Sequence, residues 1–239
     1  GGELYAENAA RDLELPRFRE ALAAALRPHL AGATSVGLPA LLGLHCPARV
    51  RDDLAERLGV AVFEIPTLPP SVPGIRLREA VEERLPGLGV VRFNQQSVRL
   101  ERLAPDGLEL AVTGGPQEHR VFCRGAVLAT GRFLAGGLAA DRSGVRETVF
   151  GLPVAQPAAR RDWHRSRYFD PRGHAVNSSG VEVDGAFRPL GRDGRALHPR
   201  LYAAGSLLAH ADWMRMKCGA GVALATALGA VEAFVAGAG

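Results

Sequence analysis

A glycine-rich segment near the C-terminus constrains the fold more than any other part of this chain. The apolar strand LYAAG ends at Gly205, and after a polar loop the run CGAG at 218–221 leads into an Ala-rich helix. A helix N-terminus has unpaired N–H groups and the positive end of the helix dipole, and glycine lets a ligand oxygen approach the backbone. The pattern therefore predicts a strand–loop–helix unit that holds a carbonyl-rich or anionic ligand.

A second strand that ends at glycine lies earlier in the chain. The run AVLATGRFLAGGL, residues 126–138, has an apolar strand before ATG and further glycines after a short apolar turn. Glycines at such positions indicate a backbone that passes close to a flat or phosphorylated ligand, where a Cβ atom would clash. An ordinary tight strand-to-helix turn would give the same pattern, and spacing alone does not separate the two interpretations.

Composition excludes several classes of protein. The chain has 239 residues with 47% hydrophobic residues, enough for one large domain or one domain with an insertion. A net charge of +4 without a basic run and interleaved aromatics argues against nucleic acid as a partner. Three cysteines, far apart and odd in number, argue against a disulfide framework and a metal site.

The termini carry no pattern of a membrane or export signal. The first residues have neither a basic leader nor an apolar core of a signal peptide, so we expect a cytoplasmic protein. The C-terminal apolar run is rich in alanine and glycine and contains Glu232. We interpret this run as a packed helix and expect no direct membrane span.

Periodicity predicts an α/β chain in four segments. Residues 1–70 have the pattern of an αβαβ unit, and the proline-rich run PTLPPSVPG at 66–74 cannot be a helix interior or a central strand. Residues 71–140 predict a helix and then strands, including one over 90–103 and one over 118–130, whereas 141–194 are polar, Arg-rich and irregular. Residues 195–239 contain the final strand, loop and helix.

Together these motifs resemble one family of flavoproteins. The two strand–glycine turns resemble the downstream fingerprints of flavoproteins with two dinucleotide-binding domains, in the fumarate-reductase-like branch. PTLPPSVPGIRL, ATGRFLAGGL, DGRALHPRLYAAG and CGAGV are together similar to the B subunit of anaerobic glycerol-3-phosphate dehydrogenase. The similarity runs from about Tyr5 to Phe234. It implies an FAD/NAD(P)-binding-type flavoprotein fold, with residues 71–140 and 195–239 as the flavin-binding domain. Residues 1–70 and 141–194 then form an inserted, cap-like α+β domain for the substrate.

The resemblance implies a function and a set of flavin contacts. The family works with an FAD-containing dehydrogenase subunit and an iron–sulfur subunit that docks to the inner face of the cell membrane. The complex oxidises sn-glycerol 3-phosphate to dihydroxyacetone phosphate and passes electrons toward quinone. The flavin-binding candidates, taken from the two glycine turns and the loop before the last helix, are Thr130, Gly131, Gly205, Ser206, Lys217, Cys218, Gly219, Ala220, Gly221 and Val222.

The chain departs from the family pattern in several places. Ala220 and Lys217 stand where the family has glycine, and His210 replaces a small residue. The family also begins with a strand, a GxGxxG turn and a helix that hold the adenosine diphosphate part of FAD. The sequence shows no such unit, so we expect a fold that is incomplete at its N-terminus, most simply a fragment of a longer protein. Either FAD or FMN then remains possible as the cofactor.

Substrate chemistry is predicted for the Arg-rich segment RRDWHRSRYFDPRGH at 160–174. Arginine holds phosphate in a bidentate grip, and histidine moves a proton during alcohol oxidation. We therefore nominate Arg161 and His164 as catalytic candidates for a small phosphorylated substrate. A solvated surface or a subunit contact would have the same composition.

Two single residues have alternative interpretations. Lys217, the one lysine of the chain, either raises the potential of a nearby flavin, is a solvated loop residue, or reaches a partner subunit. The proline-rich segment is interpreted as a boundary between two domains, and Arg76 either faces the flavin or pairs across that boundary. At the level of the whole chain, the alternatives to an oxidoreductase subunit are a flavin-binding electron relay or scaffold, and a flavoprotein that acts on nucleic acid.

Overall fold

Helices and strands alternate along the first unit of the chain, Gly1–Arg92. The computed structural model describes residues 5–67 and 71–237, apart from the side chain of Trp213. The elements of this unit are α1 (Ala6–Leu13), α2 (Pro16–Leu26), β1 (Ser35–Pro39), α3 (Pro47–Leu58), β2 (Ala61–Ile65) and α4 (Val72–Gly87). The order of α2, β1, α3 and β2 is the predicted αβαβ arrangement, and α1 is a further helix that was not predicted.

Local sequence signals set the ends of α3. Pro47 occupies its first turn, where a missing N–H costs nothing, and Gly59 ends it in the left-handed conformation with φ of 68°. The short connection to β2 then allows β2 to pair in parallel with β1, with Val36 opposite Val62. The core between the helices and this pair of strands is apolar, and its buried members are Ala23, Leu42, Val50, Leu54, Leu58 and Val62.

Helix α4 belongs to the first unit. Its Val72 is fully buried with Ala10 of α1 and Leu44, and Arg76 bonds bidentately to Glu64 at 2.7 and 2.9 Å. The first unit therefore extends to Arg92 and does not end at residue 70, because these contacts hold α4 against the preceding elements. Arg76 pairs with a residue on the other side of the proline-rich segment, but Glu64 and Arg76 both belong to the first unit, so the contact does not cross a domain boundary.

Parts of two sequence interpretations lie outside the described residues. Residues 68–70 form the centre of the proline-rich segment, and residues 1–4 begin the stretch in which a dinucleotide-binding turn was sought. The assignment of the four segments to flavin-binding and cap-like roles is functional, and it stays a prediction.

The second unit, Phe93–Gly239, is mostly β-structure followed by a long helix. Its elements are β3 (Ser97–Ala104), β4 (Gly107–Thr113), β5 (His119–Cys123), β6 (Ala126–Leu128), β7 (Leu138–Ala140), β8 (Val145–Glu147), β9 (Leu201–Ala203), α5 (Trp213–Met216) and α6 (Gly219–Ala236). Strands β3, β4 and β5 form an antiparallel sheet, and β7 pairs with β8 in a hairpin. Residues 148–200 contain only short 3₁₀ turns and isolated bridges, as predicted for most of this stretch.

Strands β6 and β9 pair in parallel, although they lie far apart in the sequence. Val127 lies opposite Tyr202, and the N–H of Ala204 donates to the carbonyl of Leu128 at 3.0 Å, which extends the pairing by one step. The main core of the unit surrounds this pair, and it includes the fully buried Leu201 and Leu207. The pairing therefore brings together the two ends of the intervening segment, residues 129–200.

Two predicted strands differ from the structure. The strand predicted over 90–103 begins only at Ser97, because the chain turns at residues 94 and 95 and Gln95 adopts a left-handed φ of 57°. The apolar run 118–130 is broken at Gly125, where a Cβ atom would meet the ring of Phe234 and the carbonyl of Arg200. In both places a turn overrides a favourable β pattern.

The Glu64–Arg76 pair makes the stability of the first unit depend on pH. Burial opposes the ionised form of Glu64, but hydrogen bonds from Arg76 and from the N–H of Leu42 outweigh it, so the pKa of Glu64 is below its ordinary value of 4.5. Its contribution is fully present above pH 4.5 and is lost as the pH falls through the lowered pKa. We expect Glu64→Gln to reduce the unfolding free energy at pH 7 by about 1–2 kcal/mol.

Urea unfolding from pH 7 to 3 tests this expectation. The difference between wild type and Glu64→Gln should shrink below pH 4.5, since protonated Glu64 resembles glutamine. Glu83→Gln changes an exposed carboxylate on the same helix and serves as the control. A difference that does not vary with pH would contradict the assignment.

Candidate functional site

The two strand–glycine turns meet at one edge of the β6–β9 pair. Thr130 and Gly131 follow β6, and Gly205 and Ser206 follow β9, so all four lie beyond the carboxyl ends of adjacent parallel strands. Gly131 and Gly205 have φ of 69° and 78°, a conformation that favours glycine. A Cβ placed on Gly131 would lie 3.7 Å from the Ser206 hydroxyl. Ligands of open α/β sheets bind at such an edge.

A single hydroxyl connects the second turn to the last helix. Thr226 Oγ1 accepts a hydrogen bond from the N–H of Gly205 at 2.8 Å and donates to the carbonyl of Val222 at 2.6 Å. Helix α6 also packs on β9, with Ala230 buried against Tyr202. The start of α6 and the Gly205 turn are therefore held in one arrangement. Thr226 was not predicted from the sequence, because a threonine inside an apolar helix carries no local signal of this contact.

The loop candidates occupy the N-terminus of α6. Cys218 is the half-buried N-cap residue and makes no side-chain capping bond, and the first turn contains the remaining candidates Gly219, Ala220, Gly221 and Val222. Open space surrounds the position of a Cβ on Gly221. The N–H groups of this first turn are of the kind that bind a ligand oxygen, and the binding predicted from the glycine pattern stays a prediction.

Lys217 and His210 adopt backbone conformations that suit glycine. Their φ angles are 56° and 70°, in the left-handed region that costs a residue with a Cβ about 1–2 kcal/mol. Both are positions where the sequence departs from the small residues of the family pattern. The Lys217 side chain is exposed, and the His210 ring bonds to Glu182 at 2.9 Å. The fold tolerates both departures with a strained backbone.

Arg161 and His164 line one cavity of about 410 Å³ in the second unit. The other lining residues are Asp162, Arg165, Ser166, Arg172 and Ala175. Arg161 has a side chain that is 87% exposed, and its contact with Asp162 is long at 3.9 Å. Its guanidinium is therefore available to an anion that enters the cavity.

Charges around the cavity are partly paired. Arg172 binds Asp170 bidentately, with both N–O distances at 2.9 Å, and these hydrogen bonds hold the pKa of Asp170 well below its usual range. The ring of His174 lies 5.3 Å from that of His164, and its Nδ1 accepts the N–H of Arg165 at 3.1 Å. Arg161 and Arg165 make only long carboxylate contacts, at 3.9 Å to Asp162 and 4.0 Å to Asp170, so both are less tightly paired than Arg172.

The residues at the β6–β9 edge fit a flavin. Thr130 Oγ1 is buried and has no hydrogen-bond partner within the described part of the chain. Gly137 packs so closely that a Cβ atom would meet the Thr130 hydroxyl and the Gly131 carbonyl. An orphaned hydroxyl beside two glycine turns and a helix N-terminus is a set of donors suited to the carbonyl oxygens of an isoalloxazine ring.

Residues 4–222 match the family described as FAD binding domain. The chain belongs to this family. The predicted α/β flavoprotein fold is confirmed, and of the two flavins considered the family match identifies FAD. The particular contacts nominated from the sequence stay predictions.

Curated proteins similar to this chain share one name. The chain is 37% identical over 218 residues to the B subunit of a probable anaerobic glycerol-3-phosphate dehydrogenase from Halobacterium salinarum, a match that covers 87% of this chain and 49% of the relative. It is 37% identical over 234 residues to the B subunit of the anaerobic enzyme from Pectobacterium carotovorum, covering 96% of the chain and 53% of that protein. The protein of the same name from Vibrio vulnificus is 31% identical over 231 residues, with shares of 96% and 52%.

These similarities confirm the resemblance inferred from the motifs. The chain spans about half the length of the curated relatives it matches. No solved structure matches it.

Two further observations concern a membrane span and a metal site. Among the described residues, α6 is the one helix long and apolar enough to cross a membrane, and it is largely exposed. Leu224 and Leu228 project into solvent while Ala230 packs on β9. Within residues 5–67 and 71–237, no group of three or more His, Cys, Asp and Glu side chains could hold a metal ion.

Replacing Lys217 by glycine tests the strain in the loop. We expect Lys217→Gly to stabilise the second unit by about 1 kcal/mol, because glycine adopts a φ of 56° without a steric penalty. Lys217→Ala removes the same charge but keeps a Cβ atom, so it is the matched control. Urea unfolding of the three proteins gives the comparison. Equal stability of the two variants would contradict the steric explanation.

The Thr226 hydroxyl can be tested in the same way. Thr226→Val leaves the N–H of Gly205 without its acceptor and should cost about 1–3 kcal/mol of unfolding free energy. Thr226→Ser keeps the hydroxyl and should recover most of the loss. If Thr226→Val costs nothing and Thr226→Ser destabilises the protein, the methyl group rather than the hydrogen bond matters.

Proposed function

We propose that this chain is the flavin-binding part of a glycerol-3-phosphate dehydrogenase. In this proposal, it oxidises sn-glycerol 3-phosphate to dihydroxyacetone phosphate and passes the electrons toward quinone. Support comes from the FAD binding domain match and from relatives whose printed names are subunits of an anaerobic enzyme of this kind. The substrate, the acceptor and the site residues are the parts that need a test.

One connection within the second unit carries the proposal. The N–H of Val176 donates to the carbonyl of Trp163 at 3.2 Å, and the carbonyl of Val176 accepts from Arg132 Nη2 at 3.0 Å. Trp163 lies between Arg161 and His164 of the cavity, and Arg132 follows the Thr130–Gly131 turn. An arginine-lined cavity is thus tied by two hydrogen bonds to the turn that is predicted to face the flavin.

The residues of the cavity suit a phosphorylated alcohol. Bound FAD supplies a two-electron acceptor for the oxidation of an alcohol to a ketone. Arg161 holds the substrate phosphate through charge-assisted hydrogen bonds, with Arg165 as a second donor. His164 takes the proton of the reacting hydroxyl as a general base. Arg172 keeps its pairing with Asp170 and shapes one side of the cavity.

The proposal includes partners and a location. Subunit names among the relatives imply a complex for those proteins, and we extend this to the present chain. An FAD-containing dehydrogenase subunit and an iron–sulfur subunit would accept the electrons. The chain itself would lie in the cytoplasm and reach the inner face of the membrane through a partner, without a span of its own.

Substitution of the two cavity residues is the decisive test. In the assembled enzyme with flavin bound, Arg161→Ala should raise the KM for glycerol 3-phosphate about tenfold to a hundredfold through loss of a charged hydrogen bond. His164→Gln should lower kcat by about 10²- to 10⁴-fold with a smaller change in KM. Steady-state kinetics with an artificial electron acceptor separate the two effects.

Arg167→Ala provides the matched control. Arg167 belongs to the same segment and is exposed, but it does not line the cavity. Its replacement should leave both constants near their wild-type values. If Arg161→Ala and His164→Gln also leave turnover unchanged, the chain is not the site of substrate oxidation, and a flavin-binding relay or scaffold becomes the better description.

A further inference from the structure

Arg132 is a buried arginine that the predicted site does not include. Its residue exposure is 7%, and its Nη2 donates to the carbonyl of Val176 at 3.0 Å. Its Nη1 is buried and has no hydrogen-bond partner among the residues that the structure describes. A guanidinium that is removed from water without matching acceptors is costly, so the arrangement suits a ligand that supplies an acceptor.

Ser179 presents a second orphaned donor at the same place. Its backbone N–H donates to the carbonyl of Val176 at 3.1 Å, which is the carbonyl that also receives Arg132 Nη2. The two residues therefore meet at one oxygen atom. The Ser179 residue is only 1% exposed, and over the described ranges its hydroxyl finds no partner.

Thr130 completes the group. Its buried hydroxyl is likewise orphaned within the described chain, and it lies two residues before Arg132 at the carboxyl end of β6. A guanidinium N–H and two hydroxyl groups can all donate hydrogen bonds. Native proteins leave few buried polar groups unsatisfied, so the orphaned groups of Thr130, Arg132 and Ser179 point to a missing acceptor.

The charge of Arg132 indicates which kind of hydrogen-bond acceptor suits this group. Burial lowers the pKa of the Arg132 guanidinium, and the negative charge of Asp212 offsets this only in part. Asp212 is itself buried, and its Oδ1 accepts the N–H of Arg215 at 3.2 Å. No carboxylate of the described residues forms an ion pair with Arg132. A negatively charged oxygen would supply the compensation that Asp212 leaves incomplete.

We propose that Thr130, Arg132 and Ser179 donate hydrogen bonds to an anionic oxygen of bound FAD. The assignment rests on the proposed flavin-binding role of the β6–β9 edge, and it adds Arg132 and Ser179 to that site. FAD is the ligand that the family match names, and the edge beyond parallel strands is where a nucleotide cofactor binds. Arg132 then acts as a cofactor-binding residue that also joins the cofactor to the cavity through Val176.

FAD affinity of the complete natural protein, stripped of flavin, provides the test. Arg132→Met should raise the Kd for FAD about tenfold to a hundredfold, whereas Arg132→Lys keeps the charge and should raise it less. Ser179→Ala should weaken binding by a smaller factor. Arg124→Met changes an exposed arginine of the same unit and is the matched control. Titration calorimetry measures all five proteins.

The melting temperature without flavin separates a ligand site from a structural role. Removal of an uncompensated charge or an orphaned hydroxyl should leave the apoprotein as stable as wild type or more stable. The rise in melting temperature on addition of FAD should be smaller in Arg132→Met and Ser179→Ala than in wild type. A destabilised Arg132→Met apoprotein with an unchanged Kd for FAD would overturn the inference in favour of a structural arginine.

Two other outcomes also decide the matter. If Arg132→Met loses affinity for inorganic phosphate and keeps that for FAD, the acceptor belongs to the substrate and the inference is wrong. Wild-type protein that binds no FAD would overturn both this inference and the proposed function. Normal FAD binding by Arg132→Met, together with the predicted kinetic effects at Arg161 and His164, would overturn the inference alone.

Discussion

Parallel pairing of β6 with β9 is the constraint on which the second unit depends. Parallel strands cannot be joined by a tight turn, so the chain between them must make a long crossover. In this protein the crossover contains the β7–β8 hairpin and the arginine-lined cavity. The pairing also brings the Thr130–Gly131 and Gly205–Ser206 turns to one edge. The two glycine turns and the arginine-lined cavity thus belong to the same topological feature.

Local signals in the sequence were sufficient to predict elements whose ends carry a proline or a glycine. Helix α3 lies between Pro47 and Gly59, and the apolar strands β1 and β2 flank it, so their existence and order follow from the sequence. The prediction of a strand over 90–103 was wrong in its first half. The left-handed conformation of Gln95 cannot be inferred from the β propensity of its neighbours. Helix α4 was assigned to the wrong side of a boundary, since proline marks stiffness rather than a change of domain.

For the candidate site, the sequence indicated the glycine turns but not what surrounds them. Glycine at Gly131 and Gly205 reflects a backbone requirement that is local and therefore visible in the sequence. The burial of Arg132 depends on the turn near Val176, more than forty residues away, packing over it. An arginine in an otherwise small and apolar stretch was a signal of this, but its meaning came only from the long-range contact.

The orphaned donors link cofactor binding to stability. Each buried polar group without a partner costs roughly 1–3 kcal/mol, and a chain of this size has a net stability of only about 5–15 kcal/mol. Three such groups near the β6–β9 edge therefore lower the net stability of the fold by a large fraction. Under the proposed contacts, bound FAD would supply the missing acceptor, so occupancy by FAD and the packing of the crossover would become one equilibrium. The same groups that would select the cofactor would then make the second unit most stable when the cofactor is bound.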